Sequence, residues 1–444
     1  MCWVVPIHRI AAGLAHDGLD LADGTLAGVF VACSDPLAPL ASAITERNAD
    51  SAHLHIDETS WNVYAAVEGK DSHRWWCWVF VGPDTTVFRI APSRSLKVLT
   101  ERLGIDIDTD TAVLPDTLPE GRQPLLSSDF YTVYQCLGRI DGVDNLWCWA
   151  HIRRSFIRAG DAHPELAAWA GGWVERIAEW YVAHTAVAAT EQGSATHRMA
   201  LAQRSAALNT IDAERRAQTR HPDLLHPAAA TALATLDREW EGLARHSEFP
   251  ELPLDNNTSE RALRGPVIGR KNYYGSGSVA SAELAGQLWT ITATAQRAGI
   301  NPLPYLRAYL NECARAGGTA PTGEALTRFL PWTATTADLT TWAHTNGDVR
   351  RADPPHTGPH LPTRHNHRST SPSRCPALDQ RISPAASVQP TGTPNTYCRS
   401  PARGCLSGER FSMASASSSN ASPVASAMRC MRGTASRQDV KPTA

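Results

Sequence analysis

Residues 53–149 contain short apolar runs of the length of a β-strand. From 151 to 247 the apolar residues instead recur at the intervals of an α-helix. Three runs, at 53–59, 73–82 and 86–90, follow one another directly and predict three strands. A helix is predicted from Ser93 to Leu103, and further strands at 124–129 and 145–151 enclose a helical segment that begins at Phe130. A meander followed by a crossover predicts an α/β fold with a mixed five-stranded sheet and flanking helices.

Residues 151–247 carry no strand pattern, because their apolar residues recur at intervals of three and four. We therefore predict an all-helical insertion at 151–250 between two parts of one core, at 52–150 and 251–317. Tryptophans such as Trp169, Trp173 and Trp180 fall on one helix face, so we interpret them as core residues. A surface for stacking bases is the alternative.

The two ends of the chain differ from the middle. The pattern of residues 1–51 predicts a short helical segment ahead of the core, which we call the lead-in and which is too short for a separate domain. After about residue 317 the periodicity is lost, and Pro, Ser, Thr and Arg dominate beyond 350, so we expect a disordered tail over 318–444. The most apolar early stretch, at 24–44, is interrupted by Asp35, Pro36 and Pro39. We therefore expect a cytoplasmic protein, with neither secretion nor membrane insertion.

The cysteines and the charge distribution limit the kinds of site that this chain can contain. The 444 residues include ten cysteines without a CxxC pair, which favours neither a disulfide framework nor a structural zinc site. The net charge of −2 conceals a basic tail, since residues 351–444 hold 12 Lys and Arg against 4 Asp and Glu. Residues 1–350 hold 30 against 40, so any DNA contact must come from local basic patches.

Three acidic residues stand where such a fold would gather them. Asp57 lies inside the first predicted strand, Asp129 ends the fourth, and Glu260 lies near the start of the helix after the helical region. Strand alternation places Asp57 on one face with His55 and Thr59, and turns Glu58 to the other. Clustered carboxylates suit phosphodiester chemistry, because hard divalent cations prefer oxygen ligands.

Each of these acids has a plainer interpretation, and for Asp57 it is an aspartate at a misjudged strand end. Asp129 suits a cap for the following helix. Asn257 and Glu260 have capping-box spacing, in which the glutamate bonds the backbone instead of a metal. Asp255 is the nearest rival to Glu260 and is interpreted as a turn residue.

Basic residues cluster in two segments. From Arg261 to Ala282 no acidic residue occurs, and the segment holds Arg261, Arg264, Arg270 and Lys271, which we predict to contact DNA phosphates. Arg153 and Arg154 are predicted to do the same, with a solvated helix face as the alternative.

Cys148 and His151 form a C-x-x-H pair just before those two arginines, and zinc is not predicted because no second pair follows. Cys148 and His151 are both candidates for residues that support the active site, and a plain structural role is the alternative for His151.

The amino-acid sequence around these residues resembles that of bacterial transposases of the insertion sequence 66 family. The similarity runs from "DLADGTLAGVF" through "HIDETSW", "SSDFYTVY", "CWAHIRRSF" and "LDNNTSERALRGPVIGRKNYYGSGS" to "GINPLPYLRAYL". It implies a ribonuclease-H-like core with a DDE active site, whose catalytic and metal-binding residues are Asp57, Asp129 and Glu260. It also implies two bound Mg²⁺ or Mn²⁺ ions. The reaction it implies is DNA nicking at the element ends followed by strand transfer into target DNA. The protein would act on DNA as a homo-oligomer associated with the nucleoid. Accessory proteins encoded by the element are further possible partners.

Departures from the family keep two alternatives open. Members typically carry a cysteine-rich zinc-binding segment and a helix-turn-helix-like DNA reader ahead of the core, and this chain begins too close to Asp57 to contain them. Phe130 stands where the family usually has glycine. The alternatives are a truncated, inactive remnant that binds DNA without catalysis, and a ribonuclease-H-like nuclease without strand transfer.

Overall fold

The computed structural model describes residues 5–67, 72–105, 124–140 and 142–343 and contains one five-stranded mixed sheet with flanking helices. The strands are β1 (His53–Asn62), β2 (Arg74–Val81), β3 (Thr86–Ala91), β4 (Leu125–Ser128) and β5 (Asp144–Trp147). Their spatial order is β3-β2-β1-β4-β5. β1 to β3 form an antiparallel meander, while β4 runs parallel to both β1 and β5. The predicted meander, crossover and mixed five-stranded sheet are confirmed.

Helices precede, interrupt and follow the sheet. Up to β5 they are α1 (Ile7–His16), α2 (Asp23–Ala32), α3 (Ser34–Ala49), α4 (Leu96–Leu103) and α5 (Thr132–Leu137). The helices between β5 and residue 250 are α6 (Trp149–Ala162), α7 (Ala167–Ala188), α8 (Ala195–Thr219), α9 (Pro227–Arg238) and α10 (Trp240–Ala244). The remaining helices are α11 (Asn257–Tyr273), α12 (Val279–Arg297), α13 (Pro302–Arg315), α14 (Glu324–Thr327) and α15 (Thr336–Trp342).

The fifth strand is shorter than predicted. It ends at Trp147, and the backbone amide of Cys148 makes a last hydrogen bond to Ser128 of the neighbouring strand, at 3.1 Å. The amide of Trp149 then donates to Leu254 outside the sheet, at 3.0 Å, and α6 begins. His151 therefore lies on a helix and not in a strand.

Alternating side chains of the meander build a core on each face of the sheet. On β2, Trp78 and Phe80 belong to the larger cluster, together with side chains of α3, α4 and α5. Cys77 and Val79 face the other way, into a smaller cluster closed by α11 and α12. The two faces thus carry different layers of helices, and α3 of the predicted lead-in belongs to the core.

Helix α12 also covers the edge of the sheet. The hydroxyl of Thr290 accepts the backbone N–H of Phe88 at 2.9 Å, and that of Thr294 accepts the N–H of Thr86 at 3.0 Å. Both amides belong to β3, and no described strand lies beside the outer side of β3. The two threonines therefore satisfy backbone groups that an open sheet edge would leave exposed for pairing with another chain.

The helices between β5 and α11 place their tryptophans in or against the core, and Trp169 and Trp240 are only partly buried there. Trp173, Ile177 and Trp180 of α7 are fully buried, and the rings of Phe156 and Trp173 stack with centroids 4.9 Å apart. The core interpretation of these tryptophans is confirmed.

Residues 318–343 are folded, so the predicted start of a disordered tail at 318 is wrong for this segment. Phe329 and Trp342 are buried and stack on each other near Tyr305, because each presents a large apolar ring to α13. The rest of the predicted tail, 344–444, lies outside the described residues. Among the helices described, none is long and apolar enough to cross a membrane alone, and only the pair α2 and α3, bent by 44°, passes that test when joined.

Candidate active site

Asp57 lies near the middle of β1 and points to the face that holds Trp61 and Val63, as alternation predicted. Its Oδ1 accepts the backbone N–H of Glu58 at 2.8 Å. Burial, reinforced by the charges of Glu58, Asp129 and Glu260, raises the pKa of Asp57 to about 8. In the described part of the chain no Lys or Arg forms an ion pair with this carboxylate.

Asp129 follows β4, the strand parallel to β1. Its Oδ1 accepts the N–H of Tyr131 at 3.0 Å, just before α5 begins. Tyr131 is the residue before α5 and no side chain caps this helix, so the bond is a local turn contact and the predicted cap by Asp129 is wrong. The bond occupies one oxygen of the carboxylate. The charge of Asp129 still acts on Asp57, Glu58 and His151.

Glu260 lies in the first turn of α11, and no capping box forms there. The residue before the helix is Asn256 instead of Asn257, and its side chain makes no capping bond. The carboxylate of Glu260 is 35% exposed and its Oε1 lies 3.9 Å from Nε2 of His151. Asp255 accepts the N–H of Asn257 at 3.1 Å, which confirms it as a turn residue.

His151 joins the carboxylates from α6. Burial and the neighbouring Arg154 lower the pKa of His151, while Asp129 and Glu260 raise it. Its Nδ1 is buried without a hydrogen-bond partner among the described residues, so the ring keeps a coordinating or proton-transferring atom unused. Phe130, the departure from the family pattern, packs edge-on against this ring with centroids 6.1 Å apart.

The three carboxylates and His151 come from four elements and lie within electrostatic range of one another. Their donor atoms suit a hard divalent cation, because carboxylate oxygens are the ligands that Mg²⁺ and Mn²⁺ prefer. Their oxygens are not all within 4.8 Å of one another, so the described arrangement is looser than the grouping of His163, Glu165 and His226 elsewhere in the chain.

Asn256 connects these elements, and the sequence analysis missed it. Its side-chain N–H donates to the carbonyl of Ile56 at 2.8 Å, and its Oδ1 accepts Nδ1–H of His55 at 3.1 Å. Its backbone N–H donates to Sγ of Cys148 at 3.2 Å. One buried residue therefore fixes α11, β1 and the start of α6 together, and the only signal in the sequence was a polar pair before "TSER".

Cys148 accepts a hydrogen bond in this network through its sulfur. Burial raises the pKa of its thiol to about 12, so it stays protonated at neutral pH.

Glu58 is buried on the face opposite Asp57 and holds a second network that the sequence did not reveal. Its carboxylate accepts the hydroxyl of Tyr134 and Nε–H of Arg94, the latter at 2.5 Å. The Arg94 guanidinium also lies over the rings of Trp76 and Tyr131, at 4.7 and 3.7 Å from their centroids. Because Tyr131 donates its backbone N–H to Asp129, this network links the segments that carry Asp57 and Asp129.

Four predicted DNA-contacting arginines meet in one cleft. The cleft has a volume of about 510 Å³, lies between α6, α7 and α11, and reaches Glu260 and Asp255. Its arginines are Arg153, Arg154, Arg261 and Arg264. Within the described ranges none of them forms an ion pair, so their positive charge remains available beside the carboxylates.

The other two predicted DNA contacts lie differently. Arg270 is half-buried, and its Nη1 donates to the hydroxyls of Thr59 and Ser60 at 3.1 and 2.7 Å, so it ties α11 to β1. Lys271 is exposed near the end of α11 and is not in the cleft.

The two tyrosines that follow differ in exposure. Tyr273 packs against Trp61, with ring centroids 6.0 Å apart, whereas Tyr274 is 69% exposed.

Comparison with known proteins identifies distant relatives of this chain. Two matches are the uncharacterized proteins y4hP and y4qI of Sinorhizobium fredii (strain NBRC 101917 / NGR234). They are 24% and 25% identical to this chain over 348 and 342 residues, 74% of its length in each case. The chain spans 59% of the length of each relative. No solved structure matches it.

A family comparison covers more than half of the chain. The model described as "Transposase IS66 family" matches residues 1–284 and therefore includes Asp57, Asp129, Glu260 and the arginine cleft. This protein belongs to the IS66 family of transposases.

Proposed function

We propose that this protein is a DDE transposase that nicks DNA at the ends of a mobile element and joins the freed 3'-hydroxyl to target DNA. Asp57, Asp129 and Glu260 are its catalytic, metal-binding residues. The observation that carries the proposal is their convergence from three elements beside a cleft with four arginines, none of which forms an ion pair with another described residue. The strand order supports a ribonuclease-H-like core, with α6 to α10 as the helical insertion.

Two Mg²⁺ or Mn²⁺ ions bound there would supply charge stabilisation for the attacking and leaving oxygens. The arginines of the cleft would hold the phosphates of one strand next to Glu260, with no base contact needed. His151 offers Nε2 toward Glu260 and the unused Nδ1 on its other side, so it suits a transfer of protons at the reacting phosphate. In the first step water would form a bond to phosphorus as the bond from phosphorus to the 3'-oxygen of the element end breaks, which frees the 3'-hydroxyl. In the second step that hydroxyl would form a bond to a target phosphorus as the bond to the target strand's own 3'-oxygen breaks.

The work of such an enzyme would take place on the nucleoid in the cytoplasm, as a homo-oligomer that brings two element ends together. Accessory proteins of the element remain part of this proposal.

The proposal is tested with purified protein, supercoiled plasmid and a short duplex with free 3'-hydroxyl ends, in Mn²⁺ or Mg²⁺. We expect metal-dependent nicking and joined products, and their loss in Asp57→Asn, Asp129→Asn and Glu260→Gln. Asp255→Asn is the matched control, because Asp255 lines the same cleft but serves a turn.

The products also distinguish the alternatives. Nicking without joining would support a ribonuclease-H-like nuclease, and DNA binding without either product would support the inactive remnant. Equal activity in the parent and the three carboxylate variants would contradict the assigned site.

A further inference from the structure

Three metal-ligating side chains meet where α6 ends and α9 begins. His163 follows the last residue of α6, Glu165 lies in the short 3₁₀ turn Pro164–Leu166, and His226 directly precedes α9. Their ligand atoms all lie within 4.8 Å of one another. None of the three belongs to the candidate active site. We propose that they form a binding site for a divalent transition metal, with Zn²⁺ as the best fit.

The distances suit a tetrahedral zinc ion. Oε1 of Glu165 lies 3.8 Å from Nδ1 of His163 and 3.5 Å from Nε2 of His226. With bonds of about 2.0–2.2 Å, neighbouring ligand atoms of a tetrahedral site are about 3.3–3.6 Å apart. Small side-chain rotations therefore suffice to close the site around an ion.

The backbone holds both histidines in place. Each is followed by proline, which restricts the preceding residue to extended conformations. His163 has φ −134° and ψ 95°, and His226 has φ −58° and ψ 139°. The two ligands therefore lose little backbone freedom when a metal binds.

The donor set and exposure favour a transition metal over Mg²⁺. Two imidazoles and one carboxylate match zinc, copper or nickel, whereas Mg²⁺ prefers oxygen ligands alone. The side chains are 31–61% exposed, so an ion can enter and water can take the fourth position.

Metal binding would exchange one existing contact. Nδ1 of His226 accepts the N–H of Ala228 at 3.2 Å and caps α9, so the ring proton lies on Nε2. Coordination through Nε2 moves that proton to Nδ1, and the capping bond is replaced by the metal bond. This contact determines the choice of variants, because His226→Asn keeps a side-chain cap while removing the imidazole.

The test is Zn²⁺ titration of chelator-treated full-length protein by calorimetry, with Mg²⁺ in excess to occupy the carboxylates. Co²⁺ absorption in the visible range reports tetrahedral coordination. The variants are His163→Ala, His226→Asn and Glu165→Gln. The matched control is His221→Ala, because residues 221–224 repeat the His-Pro-acid-Leu sequence of 163–166.

We expect the parent and the control to bind one Zn²⁺ that the two histidine variants lack or bind more weakly by over about tenfold, since even indirect metal contacts are worth 10–100-fold. Zn²⁺ should also raise the Tm of the parent and the control more than that of any ligand variant. Equal Zn²⁺ affinity in the parent and all three variants would overturn the proposal. An equal loss in His221→Ala would do so as well, since it would indicate binding to surface histidines in general.

Discussion

The side-chain amide of Asn256 donates a hydrogen bond to the carbonyl of Ile56 at 2.8 Å, and this bond joins residues 200 positions apart. Ile56 immediately precedes Asp57 on β1, and Asn256 immediately precedes the helix that carries Glu260. Two of the proposed metal ligands are therefore held in register by a residue that binds no metal itself.

Replacing Asn256 should damage both stability and metal binding. Asn256→Ala leaves Nδ1–H of His55 and the Ile56 carbonyl buried without partners, so we expect the free energy of unfolding to fall by about 1–3 kcal/mol. Urea unfolding measures this loss, and Mn²⁺ titration of the folded variant should show weaker binding. Asn62→Ala is the control, since its amide reaches only the hydroxyl of Tyr64 at the surface. Unchanged Mn²⁺ affinity in Asn256→Ala would refute the positioning role.

Asp57 should destabilise the metal-free protein at high pH. Its pKa rises from about 3.9 in the unfolded chain to about 8 in the folded one, so between these values the folded state binds one more proton. The free energy of unfolding should therefore fall as pH rises from 4 to 8, by up to about 1.4 kcal/mol per pH unit from this group.

Asp57→Asn removes that dependence, and we expect a higher Tm than the parent at pH 8.5 in EDTA. Thermal unfolding from pH 5 to 9 measures both slopes. A lower Tm in Asp57→Asn across this range would mean that Asp57 is a structural residue.

His246 should make the protein sensitive to acid. It is fully buried, its Nε2–H donates to the carbonyl of Trp147 at 3.0 Å, and burial lowers its pKa to about 3. Between pH 6.5 and 3 the unfolded state takes up a proton that the folded state does not, so stability falls as pH falls, by up to about 1.4 kcal/mol per pH unit. His246→Gln should flatten the slope below pH 6.5, and the exposed His221→Gln should not. Identical slopes in all three proteins would exclude His246 as the cause.

The arginine cleft should give DNA binding a measurable salt dependence. Each single substitution of a cleft arginine by Gln should reduce the slope of log K against log salt by about 0.7–0.9, which is the contribution of one phosphate contact. The four arginines are Arg153, Arg154, Arg261 and Arg264. Fluorescence anisotropy with a labelled duplex measures the slope. Arg315→Gln is the control, because Arg315 pairs with Glu312 at the surface. An equal effect of all five substitutions would show that general charge, and not the cleft, binds DNA.

The sequence predicted the sheet well, because strand signals are local. Alternation around Asp57 identified the correct face, and the apolar periods located β1 to β4 within a few residues. The end of β5 was missed because Trp147, Cys148 and Trp149 are equally apolar, and only the hydrogen bond of Trp149 to Leu254 decides where the strand stops.

Long-range side-chain networks were beyond sequence reasoning. The sequence around Glu58 does not indicate that Arg94 and Tyr134 are its hydrogen-bond partners, and the sequence around Asn256 does not indicate His55. These partners lie 36 to 201 residues away along the chain. Arg270 shows the same limit in reverse. It was predicted to contact DNA from a local basic run, but in the fold its guanidinium bonds β1.

Calorimetric titration with Mn²⁺ shows whether Asp57, Asp129 and Glu260 form one divalent metal site. The parent is compared with Asp57→Asn, Asp129→Asn and Glu260→Gln, with Asp255→Asn as control and folding checked by circular dichroism. We predict that Mn²⁺ affinity falls in all three variants and is retained in the control. Mn²⁺ affinity equal to the parent in all three folded variants would mean that these three residues do not form a metal site.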